Sequence, residues 1–145
     1  MRLTDPFGMA SNSSATDFGI ALLRIGLGFF MIYGHGWGKL MKLLGDDPIK
    51  FMDFMGLGAT TSLALVVFAE FLCSAFLIFG LATRWVLIPL IITMLVAVFM
   101  AHGDDPFGKK EKGLLYLFPY ITLFLTGAGR YSLDAIFGKN NGRRE

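Results

Sequence analysis

Cysteine is nearly absent from this chain, and the motifs that depend on it are missing. The one cysteine among the 145 residues, Cys73, lies inside an apolar stretch and has no second cysteine to pair with. A CxxC pair, which would indicate a zinc site or a dithiol redox site, does not occur. The thiol therefore says nothing about the compartment in which the chain works.

Charge is scarce as well. Asp, Glu, Lys and Arg make up 17% of the chain, whereas a soluble domain carries about 25%. The net charge is only +2, and no basic run alternates with aromatic residues, which excludes a typical nucleic-acid-binding protein. The first seventeen residues lack the apolar core of a secretory signal peptide. With 54% hydrophobic residues and a mean hydropathy of +0.61, the composition is that of a membrane protein.

Four apolar stretches are long enough to cross a hydrocarbon core of about 30 Å, which takes about 20 residues. They cover about residues 18–40, 59–80, 85–102 and 113–128, and none has the period-2 alternation of a membrane β-strand. The sequence therefore predicts one all-α domain, an integral membrane bundle of four transmembrane helices over residues 18–138. The sequence also predicts that residues 1–17 form an N-terminal tail ending in Asp17, a candidate N-cap, and that residues 139–145 form a disordered C-terminal tail.

The linkers predict how the helices are connected. Residues 41–58 contain Gly-Asp-Asp-Pro and then closely spaced apolar residues, which predicts a short amphipathic helix in the membrane interface. Gly80 to Arg84 predicts a tight turn, which makes helices two and three antiparallel neighbours. Four spans place both termini on one face. Lys and Arg are evenly divided between the two faces, and the smaller number of acidic residues on the terminal face favours cytoplasmic termini.

Two ionisable residues lie deep within the first two apolar stretches, Arg24 and Glu70. Such groups cost about 2.5–3.5 kcal/mol on insertion scales, so each needs a partner or a function. Because the two helices run antiparallel, Arg24 and Glu70 are expected within about one helical turn of the same depth. The sequence therefore predicts an Arg24–Glu70 ion pair. Whether the pair only joins the helices or contributes to a substrate site stays open.

A second polar group surrounds the motif GHGWGK. Arg24, His35 and Lys39 fall within about 60° of one another on a helical wheel, and His102 ends the third helix at the same membrane face as His35. The residues predicted to line one pocket there, as ligand-binding or proton-relay candidates, are His35, Lys39, His102, Glu111 and Tyr116. His102 also fits the role of an ordinary interfacial residue. No metal site is predicted, because ligand spacing on one helix is absent.

Three segments, LLRIGLGFFMIYGHGWGKL, AEFLCSAFLIFGLATRW and EKGLLYLFPYITLFLTGAGRYSLD, follow one another along the chain. In this order they resemble the DoxX family of bacterial four-helix membrane proteins, over about residues 18–134. The residues that carry the resemblance are Arg24, His35, Gly36, Lys39, Glu70, Gly80, Thr83, Arg84, Gly127, Gly129, Ser132, Leu133 and Asp134. The eighteen-residue first linker and the charged HGDDPFGKKEK segment depart from the family pattern.

The resemblance implies a multi-pass protein of a bacterial cytoplasmic membrane. Members of the family are linked to quinone-dependent sulfur oxidation and to membrane oxidoreductase assemblies that protect against oxidative stress. Distant animal relatives resemble chaperones for receptor assembly. Family membership therefore implies no single activity, and the activity has to be argued from the site itself.

Three functions remain as hypotheses. The first is a redox-linked subunit that binds a quinone or a similar lipid-soluble ligand. In it His35, Lys39 or Arg24 donates to a carbonyl, and Glu70 balances charge or relays a proton. No flavin, haem or iron–sulfur motif is present, so no cofactor is intrinsic and partner subunits would supply electrons. The second hypothesis is a non-catalytic scaffold or assembly factor of a membrane complex. The third is a small transporter, which would need a homo-oligomer to enclose a path.

Overall fold

The computed structural model describes residues 14–141 of the chain, with side chains up to residue 138. Over this range the chain forms five helices and no strand, which confirms the all-α class. The helices are α1 (Ser14–Leu44), α2 (Ala59–Phe79), α3 (Thr83–Ala101), α4 (Phe107–Thr126) and α5 (Leu133–Asn141). The predicted tails fall largely on residues 1–13 and 142–145, which lie outside the described part.

Three of the described helices, α1, α2 and α3, are long and apolar enough to cross a membrane. The fourth predicted span corresponds to α4, which packs along α3. Its first turns carry Lys109, Lys110, Glu111 and Lys112, and its apolar part is confined to residues 113–126, about 21 Å long at the usual helical rise. The structure thus contains the four-helix bundle, while the crossing of α4 stays a prediction.

The bundle is held together by one face of each helix. From Ser14 to Met31 of α1 the buried residues are Ala21, Arg24, Gly28 and Met31, which repeat every three or four positions and so form one stripe. Gly28 lets α2 come close, because a Cβ there would lie 2.8 Å from the carbonyl oxygen of Ser74. The buried apolar core includes Leu77, Leu87, Leu90, Tyr120 and Leu123. Many other large apolar side chains are exposed, as expected where lipid replaces water.

The helix ends differ from those predicted by hydropathy. The helix α1 begins at Ser14, so Asp17 lies in its first turn, and the prediction of Asp17 as the N-cap is wrong. The Asp17 carboxylate instead accepts a hydrogen bond from the backbone N–H of Arg130 at 3.2 Å. Likewise α4 begins at Phe107 rather than near residue 113. Polar residues continue these helices beyond their apolar stretches, where hydropathy carries no signal.

The linker between α1 and α2 also differs from its prediction. Residues 45–58 contain no helix, so the predicted amphipathic helix is wrong. Met55, Gly56 and Gly58 have positive φ angles, which interrupt a helical path. The linker is an irregular strap, anchored where the N–H of Phe54 donates to Oγ of Ser62 at 2.8 Å.

The connection between α2 and α3 is the tight turn that the sequence predicts. Gly80 ends α2 in the left-handed region, with φ 66°. Asp134, at the start of α5, closes the turn: its carboxylate accepts from the N–H groups of Ala82 at 2.7 Å and Thr83 at 2.9 Å. The N–H of Asp134 in turn donates to the Gly80 carbonyl at 2.9 Å. Arg84 is exposed beside the turn.

Candidate functional site

A buried ion pair joins α1 to α2. The ammonium of Lys39 lies 2.7 Å from Oε1 and 2.5 Å from Oε2 of Glu70. The Glu70 side chain is 4% exposed, and that of Lys39 is 28% exposed. A carboxylate buried to this degree within a membrane protein needs a compensating charge. Lys39 supplies that charge.

The predicted Arg24–Glu70 pair is not formed. The Arg24 guanidinium donates through Nη1 to the carbonyl of Ala128 at 2.9 Å and through Nη2 to that of Tyr131 at 2.6 Å. The prediction was wrong because it placed Arg24 of α1 level with Glu70 of α2. Gly36, not Arg24, lies against the backbone of Glu70, and Arg24 is twelve residues earlier, about 18 Å away along α1. Arg24 therefore holds the segment after α4 rather than the site.

Three π-helical segments surround the Lys39–Glu70 pair. They are Ile32–Gly36 in α1, Phe68–Cys73 in α2 and Ala97–Ala101 in α3. His35 and Glu70 lie within the first two, and His102 follows the third. A π turn inserts a residue and changes which side chains a helix presents, and such turns are frequent at functional sites. Sequence patterns did not predict them; the closely spaced glycines of GHGWG are the one visible sign.

A cavity of about 160 Å³ lies beside this ion pair, at the end of the bundle away from α5. The polar residues that line it are His35, Lys39, Glu70, His102, Lys109, Lys110, Lys112 and Tyr116. The His35 ring meets the Tyr116 ring edge-on, with 5.8 Å between centroids. The structure thus brings together His35, Lys39, His102 and Tyr116. Glu111 is exposed on α4 and does not line the cavity, so its predicted place in the pocket is wrong.

His102 is oriented by a residue that the sequence patterns did not single out. Its Nδ1 lies 2.7 Å from Oδ2 of Asp105, and the Lys109 ammonium lies 3.3 Å from Oδ1. These hydrogen bonds, that from His102 first, hold the pKa of the Asp105 carboxyl below its usual range. Because Asp105 engages Nδ1, Nε2 is the ring atom of His102 left for a ligand.

An apolar groove of about 430 Å³ adjoins the polar cavity. Its apolar walls come from the strap, α2 and α3, and include Phe51, Met52, Phe54, Leu65, Val66, Phe68, Ile92 and Val96. Lys39, Glu70 and His102 line both the groove and the cavity. These three residues therefore mark the boundary between a polar compartment and an apolar one.

The donors and acceptors of the cavity do not form a metal site. Within residues 14–141, no group of three or more His, Cys, Asp or Glu side chains is placed to hold a metal ion. The cavity instead combines lysine ammonium groups, two imidazoles and a phenol, which are suited to hydrogen bonding with carbonyl or anionic oxygen atoms.

The fold and the site together define an all-α, multi-pass membrane protein whose first three helices bring π-helical turns to one polar cavity. Comparison with known proteins agrees with this class. The DoxX family model matches residues 19–103, which span nearly all of α1 to α3. The chain belongs to the DoxX family, and the resemblance seen in the sequence is confirmed.

Two relatives extend the match beyond α3. The chain is 34% identical over 132 residues to "Putative oxidoreductase CatD" of Bacillus subtilis (strain 168), which covers 87% of this chain and 93% of that protein. It is 28% identical over 127 residues to "Inner membrane protein YqjF" of Escherichia coli (strain K12), which covers 85% of this chain and 95% of that protein. No solved structure matches the chain significantly.

Proposed function

We propose that this chain is a redox-linked membrane subunit that binds a quinone, or a similar lipid-soluble ligand, where the polar cavity meets the apolar groove. The observation that carries the proposal is the position of Lys39, Glu70 and His102 between the two compartments. A quinone is divided in the same way, into a ring with polar carbonyls and an apolar chain. A purely polar ligand would leave the groove unfilled.

The side chains around the cavity suit a quinone ring. The Lys39 ammonium, the rings of His35 and His102, and the Tyr116 hydroxyl can all hydrogen-bond to carbonyl oxygens. A carbonyl that gains charge is stabilised by a donor already fixed in place, and the effect is larger where water is scarce. Glu70, which is buried against Lys39, balances that cation and can exchange a proton with it. The bundle would thus bind, orient and protonate the ligand.

A quinone takes up two electrons and two protons, and the chain has no motif for an electron-carrying cofactor. A partner subunit of the oxidoreductase class therefore supplies the electrons in this proposal. The relative CatD is named as an oxidoreductase, which supports a redox setting. The partner is another membrane-protein subunit or a further copy of the chain, and the large exposed apolar faces leave room for either.

The proposal also includes a location. The relative YqjF is named as an inner membrane protein, which supports a location in the bacterial inner membrane. There α4 forms a fourth span, because it packs along α3 and is apolar after its charged first turns. Both ends of the chain then lie on one face, and the smaller number of acidic residues on that face favours the cytoplasm. The polar cavity opens at the opposite face.

The proposal is tested on detergent-purified protein. Lipid extraction is expected to recover a quinone in a fixed ratio to the protein. His35→Ala is expected to lose the quinone while expression and helix content are kept. Tyr33→Ala is the matched control, since Tyr33 lies in the same π-helical segment but is 77% exposed. Recovery of a stoichiometric protein partner without quinone would favour the scaffold hypothesis and overturn the proposal.

A further inference from the structure

We infer that the polar end of the ligand carries an anionic oxygen group, which Lys110 and Lys112 hold at the mouth of the cavity. The inference rests on the proposed function and narrows its ligand to an anionic amphiphile. The shared chemistry is a negatively charged oxygen attached to an apolar body. Two kinds of ligand provide such an oxygen: a quinone with an ionised hydroxyl on its ring, or a membrane lipid with its phosphate.

The charges that line the cavity do not balance. Four lysines border it, and two of them are paired: Lys39 with Glu70, and Lys109 with Asp105. In the described part of the chain, Lys110 and Lys112 have no carboxylate within salt-bridge distance. The lysines of the cavity therefore contribute two positive charges that no carboxylate compensates. A concave site with an excess of one sign attracts a ligand of the opposite sign.

The local sequence is unfavourable without such a ligand. Lys109 and Lys110 lie in the first turn of α4, where the helix dipole favours acidic residues and disfavours lysine, and Lys112 follows in the second turn. Pro106, at the N-cap, provides no side-chain hydrogen bond. The N-terminus of α4 thus adds positive partial charge to the ammonium groups instead of offsetting them. An anion at the cavity mouth would offset both the positive partial charge of the helix N-terminus and the charge of the ammonium groups.

Other lysines at the same end of the bundle do not share this arrangement. Lys42 donates to the backbone carbonyl of Lys50, and neither residue lines the cavity. Lys110 likewise donates to a backbone carbonyl, that of Gly103 at 2.5 Å. Unlike Lys42 and Lys50, however, Lys110 and Lys112 line the cavity, which also contains His35 and His102 and continues into the apolar groove. An anionic group placed there leaves room for an attached apolar chain. Lys50 is therefore a matched control for charge at this membrane face.

The test uses two ligands of nearly the same shape. One is an alkyl hydroxynaphthoquinone, whose hydroxyl is ionised at neutral pH, and the other is its neutral methyl ether. Binding is measured by equilibrium titration of the full chain in phosphatidylcholine nanodiscs. The anion is expected to bind about tenfold more tightly. Lys112→Gln is expected to remove most of this preference, and Lys50→Gln to leave it unchanged. Added salt should weaken it.

The outcomes separate the inference from the proposed function. Equal affinities for the two ligands, with both bound in the cavity, would overturn the inference and leave quinone binding in place. Failure of both ligands to bind would overturn both. Phosphatidylglycerol in the nanodisc distinguishes the two sources of the anion. If it displaces the ionised quinone from the unaltered chain but not from Lys112→Gln, the anionic site takes a lipid phosphate. If it displaces nothing while the tenfold preference holds, the site takes the ionised ring.

Discussion

The ammonium of Lys39 contacts both carboxylate oxygens of Glu70, at the level where α1 and α2 are each π-helical. Gly36 allows this contact, because its missing Cβ lets α1 lie against the backbone of Glu70. A close helix approach and a neutralised carboxylate therefore occur together. The pair is both a structural tie and the boundary of the candidate ligand site, and the two roles can be separated experimentally.

The first prediction concerns the stability of this pair. Lys39→Met leaves the Glu70 carboxylate buried without a partner and is expected to cost about 3 kcal/mol. Glu70→Gln is expected to cost less, since Lys39 is part-exposed and can turn toward water. The double variant should be more stable than the sum of the two losses implies. Thermal unfolding in detergent measures all three, and strictly additive losses would contradict the observed contact.

The second prediction concerns Arg24. Arg24→Leu removes two charge-assisted hydrogen bonds to the carbonyls of Ala128 and Tyr131 and should destabilise the bundle by about 3 kcal/mol. Hydrogen exchange should rise first in residues 128–134. Arg84→Leu, at an exposed position, is the control. Because Arg24 lies far from Glu70, the losses of stability caused by Arg24→Leu and Glu70→Gln should add in the double variant. A double loss smaller than the sum would instead support the Arg24–Glu70 ion pair predicted from the sequence.

The third prediction concerns close packing at the π-helical turns. A Cβ at Gly36 would lie 2.8 Å from the Glu70 carbonyl oxygen, so Gly36→Ala must push α1 and α2 apart. It is expected to cost about 1–3 kcal/mol and to weaken ligand binding. Gly34→Ala is the control, because nothing lies within 4 Å of a Cβ there, and alanine favours the helix. Equal effects of the two substitutions would show that the helices are not in close contact.

The fourth prediction concerns the strap over the apolar groove. Phe51→Ala removes apolar surface that would cover the ligand's chain, so it should weaken binding of a long-chain quinone about tenfold. Binding of a quinone with no chain should change by less than about twofold, since the polar cavity is untouched. Leu57→Ala, at an exposed strap residue outside the groove, is the control. A loss independent of chain length would argue against the groove as the chain's site.

The fifth prediction concerns pH. The pKa of Asp105 is lowered by its hydrogen bonds with His102 and Lys109, so the folded state favours the ionised carboxylate. The resulting stabilisation is present above the usual carboxyl pKa of 3.8 and is lost as the pH falls through the lowered value. Asp105→Asn should therefore flatten the fall in thermal midpoint that the unaltered chain shows as the pH drops below about 4. An unchanged pH profile would show that these contacts do not form in solution.

Local sequence determined the membrane class, the helical content and the turn between α2 and α3. Each of these depends on neighbouring residues: the length of an apolar run, the scarcity of charge, or Gly80 where the chain needs a positive φ. The wheel of α1 also grouped Arg24, His35 and Lys39 on one side of the helix, because a helical repeat needs no knowledge of other helices.

The partner of each buried charge was decided only by the tertiary structure. Arg24, His35 and Lys39 share one stripe of α1, and hydropathy does not tell which of them lies level with Glu70. That depends on how far α1 continues past its apolar stretch and on the π turns that shift its register against α2. The strap is a similar case. Its apolar residues line the groove together with α2 and α3, and they do not form a helix of their own. Contacts between distant segments depend on the relative placement of whole helices, which no local pattern encodes.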